Sequence, residues 1–222
     1  MSRASATTDR ERALLAQGYR RIVGLDEVGR GCLAGPVVAA AVLFPTDLLA
    51  APDPLPGVAD SKLLAPDQRL ALAEEILARV VAVGLGQATA AEIDCWGLGV
   101  ASRWAMVRAL RALPVPPDYL LVDYFTLPDC PCPQEGVVDG DARCFTIAAA
   151  SIVAKVVRDR LCSLLDALYP GYGFAIHKGY GTPEHRAALA RLGPSPVHRR
   201  SFAPVRALLA PGTGAVRRAG DG

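Results

Sequence analysis

Two adjacent carboxylates, Asp26 and Glu27, end a short apolar run, and a glycine-rich turn carrying one arginine, Gly29-Arg30-Gly31, follows at once. Neighbouring acids repel each other and are costly to bury unless a cation sits between them. Gly29, Gly31, Gly35 and Pro36 fall within eight residues, a backbone suited to close approach by another molecule. Metal plus phosphate is the chemistry such a segment fits. Two further acids stand in comparable places: Asp123 closes another apolar run, and Asp141 follows Asp139-Gly140. Taken singly, an acid is more often a helix cap or a surface ion-pair partner. If the strands or strand ends that carry them are neighbours, however, four carboxylates converge at one edge of a sheet. Oxygen ligands in that number suit Mg²⁺ or Mn²⁺ rather than zinc. Two such ions about 4 Å apart are a known apparatus for in-line phosphodiester hydrolysis.

The elements that must position these acids can be read from periodicity and punctuation. Strands are expected over residues 21–26, 37–44, 81–88, 119–123 and 136–138, the second of them β-branched and well buried. Helices are expected over 66–81, over 90–113 with a break at Gly97-Leu98-Gly99, over 146–168, and near 183–192 and 202–209. Residues 45–56 and 172–180 read as loops, and the first 18 residues as frayed or weakly helical. Early hairpin-like strands followed by strands alternating with helices indicate a mixed α/β sheet with helices on both faces.

Composition narrows the class. The chain has 222 residues, 51% of them hydrophobic, enough for one sizeable core. Its longest apolar run after Pro36 is too short to span a bilayer, and the first residues lack a signal-peptide core, so a cytoplasmic protein is expected. The six cysteines are then expected to be reduced, and Cys130-Pro131-Cys132 lacks the second ligand pair of a zinc site. Net charge is only +2, but residues 185–220 hold seven arginines and no acid, one way to hold a polyanion over metal ions. Only three of the 24 basic residues are lysines: Lys62, Lys155 and Lys178. His177 and His185 suit one helical turn, but one such pair does not make a metal site.

The motifs together resemble type 2 ribonuclease H, the bacterial ribonuclease HII family, over residues 22–209. They are Asp26-Glu27-Val28-Gly29-Arg30-Gly31 with Leu33-Ala34-Gly35-Pro36, Asp60-Ser61-Lys62-Leu63, Val122-Asp123, Gly140-Asp141, the segment from Ala148 to Lys155 with Arg158-Asp159, His177-Lys178-Gly179-Tyr180-Gly181-Thr182, and His198-Arg199-Arg200-Ser201-Phe202. The resemblance implies an RNase H-like mixed five-stranded sheet flanked by helices. It implies a catalytic domain over 19–170, a C-terminal loop and helices over 171–210 completing the substrate groove, and flexible segments at 1–18 and 211–222. Asp26, Glu27, Asp123 and Asp141 match the family's catalytic, metal-binding carboxylates. Gly29, Arg30 and Gly31 match the turn whose backbone senses a ribonucleotide 2′-hydroxyl, and Tyr180 matches the tyrosine that contacts this hydroxyl and packs on the next deoxyribose. Lys62, Ser151, Lys155 and Lys178 fall in segments lining the nucleic-acid groove, although Ser151 in an alanine-rich helix also suits tight packing. The implied reaction is two-metal hydrolysis, with Mg²⁺ or Mn²⁺, of the RNA strand of RNA–DNA hybrids and of the bond 5′ to single ribonucleotides in duplex DNA. It leaves 3′-hydroxyl and 5′-phosphate ends, and a monomer acting without a membrane is expected.

Val28, Tyr124 and Asp139 depart from the family pattern, which usually has alanine, glycine and lysine there. Tyr124 is expected to crowd the metal or reshape the loop behind it, and Asp139 to replace a cation by an anion near the cluster. Two other classes fit less well. Gly29-x-Gly31-x-x-x-Gly35 loosely resembles the dinucleotide-binding loop of a nicotinamide oxidoreductase, but that loop should open into a helix, and Pro36-Val37-Val38 continues as strand. A catalytically inactive nucleic-acid binder would not need four intact acids.

Overall fold

The computed structural model describes residues 6–52, 54–58 and 64–209; the Asp60-Ser61-Lys62-Leu63 motif, and with it Lys62, lies outside them. Five strands form one sheet: β1 (Ile22–Val28), β2 (Val37–Leu43), β3 (Ala82–Ala88), β4 (Tyr119–Asp123) and β5 (Gln134–Val137), in the spatial order β3-β2-β1-β4-β5. The β1–β2 and β2–β3 pairs are antiparallel, and β4 and β5 add in parallel. The glycine turn thus joins two hairpin strands rather than a strand and a helix, which removes the dinucleotide-loop reading.

Side chains alternate across the strands and separate the core into two layers. On one face Ile22, Ala40, Val42 and Leu121 pack beneath the 24-residue helix α6 (Phe145–Leu168), joined by α1 (Asp9–Ala16), α2 (Thr46–Ala50) and α3 (Pro66–Arg79). On the other face Val23, Leu25, Ala39, Ala41 and Val122 pack against α5 (Leu98–Arg111), with α4 (Ala90–Trp96) before it. The break between α4 and α5 falls at Gly97, whose φ of +77° is the left-handed conformation glycine tolerates. A third, smaller cluster joins Leu33 and Ala34 of the turn to Tyr172 and Phe174, with α7 (Phe174–His177), α8 (Pro183–Leu192) and α9 (Ala203–Leu209) around it.

Three local readings change. The loop expected over 45–56 contains α2, which buries Leu49, and the loop over 172–180 contains the single turn α7. Residues 9–16, expected to be frayed or weakly helical, form α1. The buried Glu11 carboxylate on α1 accepts from both the N–H and the hydroxyl of Thr146 at 2.8 Å, tying the helix to the start of α6. Tertiary bonds, not local propensity, fix this helix; no composition signal carries them.

The approach of α6 to β1 is set by Gly24. A Cβ there would stand 2.2 Å from the Thr146 carbonyl carbon, so the helix start lies directly on the strand backbone. Gly24→Ala is expected to destabilise the protein by about 1–3 kcal/mol, the usual cost of overpacking. Urea denaturation should show this as a lowered midpoint at unchanged slope, and an unchanged midpoint would contradict the packing.

Candidate active site

Alternation along β1 sends Asp26 to the α6 side of the sheet, in phase with Ile22 and Gly24, and Glu27 to the opposite side. The parallel register pairs Leu25 with Val122, so the next residues, Asp26 and Asp123, stand side by side where β1 and β4 end. Asp141 arrives differently from the expectation of a strand end. It lies in the 3₁₀ turn Gly140–Ala142 that leads into α6, after the left-handed backbone of Asp139 (φ +53°). The Gly140 N–H donates to Asp123 Oδ1 at 2.7 Å, fastening that turn to β4. Asp141 is buried, whereas Asp139 is exposed.

The electrostatics follow from this crowding. Asp26 is 4% exposed; its Oδ1 accepts from the Glu27 N–H at 2.7 Å, and the Ser151 hydroxyl donates to its carboxylate from α6. Burial first, then the charges of Glu27 and Asp123, push the Asp26 carboxyl well above the ordinary range; the Ser151 bond opposes this and Asp141 adds to it. Burial likewise pushes Glu27 up to about 7, against the pull of Arg30, whose Nη1 donates to Glu27 Oε1 at 3.0 Å. Glu27 Oε2 is buried without a hydrogen-bond partner. Among the described residues no three Asp, Glu, His or Cys side chains close into a finished metal cage. Carboxylates that repel one another at a strand end, together with one orphaned buried oxygen, nonetheless form a hard-oxygen donor set that fits a divalent cation.

Two buried arginines hold the turn beside these acids. Arg199 donates to the carbonyls of Gly29 (2.7 Å), Arg30 (2.7 Å) and Gly35 (2.9 and 3.1 Å). Arg158, on α6, donates to Pro36 (3.0 Å), Lys178 (2.8 Å) and Ala34 (3.2 Å). Gly29 has φ +92°, and a Cβ on it would meet Arg158 Nε at 2.1 Å, so glycine is required there by both conformation and space. Asp94 of α4 accepts from the N–H groups of Arg200 and Ser201, which aims the preceding Arg199 inward. Neither Arg158 nor Arg199 stands out as a site residue on type alone. Arg158, however, shares the buried stripe Ile147, Ser151, Ala154, Cys162 of α6, a periodicity that marks an inward arginine.

The remaining expected residues divide. Gly31 borders open space, the ring of Tyr180 being the nearest group at 3.9 Å from a Cβ placed there. Tyr180 itself is half exposed at 45%. The Arg30 guanidinium pairs with Glu27 and lies 4.7 Å from the Phe125 ring centroid. Lys155 pairs with Asp159 at 2.6 Å, and Lys178 sits in a left-handed conformation (φ +52°) with its carbonyl held by Arg158. Tyr124 does not crowd the acids: it takes φ +60°, a conformation that explains why a glycine suits this position, and its side chain is exposed against Phe125. The chain's three histidines meet in the third core cluster. The His177 and His185 rings stack 4.2 Å apart, and His185 Nε2 lies 3.1 Å from His198 Nε2. Each donates to or accepts from backbone groups, so the cluster is a satisfied structural network.

The sign of a pH effect follows from Glu27. Its folded-state pKa is raised from 4.5 to about 7, so in that window the folded protein keeps a proton that the unfolded chain has released. Metal-free stability contributed by this group therefore falls as pH rises through the window. Thermal melts in EDTA at closely spaced pH values should show that decline in the parent and its loss in Glu27→Gln. Parallel curves for the two proteins would show that Glu27 does not titrate there.

A family model described as Ribonuclease HII matches residues 23–205. The ribonuclease HII of Geobacillus kaustophilus is 55% identical over 199 residues, covering 90% of this chain and 74% of the relative. That of Roseiflexus castenholzii is 53% identical over 205 residues, 92% of each chain. Among solved structures, the ribonuclease H2 of Pyrococcus horikoshii superposes with a TM-score of 0.68 at 25% identity, over 85% of this chain and 96% of that one. A Bst ribonuclease HIII in complex with Mn²⁺ shares the fold, with a TM-score of 0.64 at 19% identity over 94% of this chain and 70% of that one. Identity above one half, sustained along nearly the whole chain, means common descent and not a shared architecture alone, and the chain belongs to the ribonuclease HII family, endoribonucleases dependent on divalent metal ions.

Proposed function

We propose that this enzyme hydrolyses the phosphodiester on the 5′ side of a ribonucleotide, both within RNA–DNA hybrids and where one ribonucleotide is embedded in duplex DNA, leaving 3′-hydroxyl and 5′-phosphate ends. The observation that carries this reading is the gathering of Asp26, Glu27, Asp123 and Asp141 directly beside a glycine turn whose Gly31 edge is open. These four carboxylates would hold Mg²⁺ or Mn²⁺. Two bound ions would supply an acidified water and a counter-charge for the departing oxygen.

The chain's own groups prepare the site. Ser151 and the Glu27 N–H orient Asp26, and Gly140 orients Asp123. The orphaned Oε2 of Glu27 is the oxygen best placed to exchange its unsatisfied state for a cation. Arg30 is engaged by Glu27 and Phe125, so the backbone of the turn, rather than this side chain, is the element offered to the ribose. A 2′-hydroxyl is the one group that distinguishes RNA from DNA at a given nucleotide, and glycines allow main-chain groups to reach it. Tyr180, on the far side of Gly31, would contact that hydroxyl and pack on the following sugar. Lys155 and Lys178 would meet backbone phosphates, making binding salt-dependent.

A DNA duplex carrying one ribonucleotide, incubated with the protein and Mg²⁺ or Mn²⁺, should be cut once, 5′ to that nucleotide, and EDTA should abolish the cut. Asp26→Asn should lower the rate by about a thousandfold or more while duplex affinity stays within a few-fold. No metal-dependent cut at the ribonucleotide would sink the proposal, and survival of activity in Asp26→Asn would remove that residue from the ligand set.

A further inference from the structure

Among the described residues only three non-glycine residues hold a left-handed backbone: Tyr124 (φ +60°), Asp139 (φ +53°) and Lys178 (φ +52°). Each stands within two residues of an expected site residue, Tyr124 directly after Asp123, Asp139 before Asp141 and Lys178 before Tyr180. L side chains disfavour this conformation, and such outliers gather where function holds them in place. For Asp139 and Lys178 the backbone has a task of its own. The Asp139 carbonyl accepts from the Ala142 N–H at 3.1 Å to close the 3₁₀ turn, and the Lys178 carbonyl is held by Arg158. At Tyr124 the fold likewise uses the backbone, whose N–H donates to the Val137 carbonyl at 2.9 Å. It does not need the side chain. A glycine would take the same conformation without strain, and Tyr124 is 64% exposed, so burial does not account for the ring.

The ring is nevertheless placed. It stands perpendicular to that of Phe125, with 5.2 Å between centroids, and the Phe125 ring carries the Arg30 guanidinium at 4.7 Å. Arg30 in turn pairs with Glu27. The row Tyr124, Phe125, Arg30, Glu27 therefore runs from the residue after Asp123 to the acid at the end of β1, and Tyr124 is its exposed end. Asp139 is exposed two residues beyond Val137, to which Tyr124 is bonded. Its charge disfavours a phosphate at this rim but not an apolar contact. We propose that Tyr124 is a substrate contact: its ring packs on a sugar of the bound duplex beside the acids, adding affinity that a glycine at this position would lack. The inference rests on the proposed function for the identity of the ligand, a nucleic-acid duplex.

The test compares Tyr124→Gly and Tyr124→Phe with the parent. Anisotropy titration of a labelled duplex carrying one ribonucleotide, in EDTA so that nothing is cut, should show Kd raised about fivefold in Tyr124→Gly and held within about twofold in Tyr124→Phe. Thermal melts should place Tyr124→Gly no lower than the parent, because glycine relaxes the left-handed backbone. Equal Kd values for the parent and Tyr124→Gly would remove the contact. A lowered melting temperature in Tyr124→Gly would do the same, by making the ring a structural element. A loss in Tyr124→Phe as large as that in Tyr124→Gly would overturn the ring contact in favour of the hydroxyl. The metal-dependent cut by the parent is scored separately. Its absence with the Kd difference intact would fail the proposed reaction and leave the contact standing, whereas a normal cut with no Kd difference would fail the contact alone. A parent that binds no duplex would overturn both.

Discussion

The end of the sheet that carries the acids depends on two buried guanidinium groups that, among the described residues, form no ion pair with a carboxylate. Arg158 and Arg199 are among the largest fully buried side chains, and both donate to backbone carbonyls, from residues 29–36 and from Lys178. Burying a charge is costly, and several converging carbonyl dipoles are what offsets the loss of water. Burial lowers Arg199 to about 10, with Arg158 adding to the effect, yet it remains a cation at neutral pH. The guanidinium fork fixes the spacing of the carbonyls it touches, and no ammonium could do the same. Behind the turn therefore lies a positive pole and in front of it a negative one, with seven residues of backbone between Glu27 and Gly35 held by both.

The sheet is a passive frame for this arrangement but not an arbitrary one. The antiparallel β1–β2 hairpin places the turn at the same end of the sheet as the parallel β1–β4 pair places Asp26 and Asp123. Reversing either pairing would separate the turn from the acids. Helix α6 adds a third constraint, since its buried side chains include both Ser151, beside Asp26, and Arg158, which touches the turn. A single rotation of that helix would disturb acid and turn together.

Much of this was legible in the residues themselves. Strand alternation, the break at Gly97 and the apolar stripe of α6 are local patterns, and local physics enforces them. The acids of β1 and β4 announced themselves because buried charge at a strand end needs a reason. Other parts were hidden for equally physical reasons. Nothing near Asp141 tells that it enters from a 3₁₀ turn, because that turn is fixed by the bond from Gly140 to Asp123 across the site. The harmlessness of Tyr124 depends on a left-handed backbone, which its own side chain disfavours. Arg199 takes its meaning from partners far along the chain, Gly29 among them, and such pairings are properties of the folded molecule.

That separation has a temporal meaning. The hairpin that carries Asp26 and Glu27 leaves the ribosome early, but the turn's carbonyls are bonded by residues 158 and 199, which are made more than a hundred positions later. Until then these carbonyls lack the arginine donors, and from within the turn only the Cys32 N–H meets one of them, the Gly29 carbonyl at 3.4 Å. The sheet can begin to assemble during synthesis, because its first hairpin is local. The nuclease cannot. The proposed site waits for a segment made much later than its acids: a chain stalled before Arg199 would carry all four carboxylates and still lack the bonds that give the turn its shape.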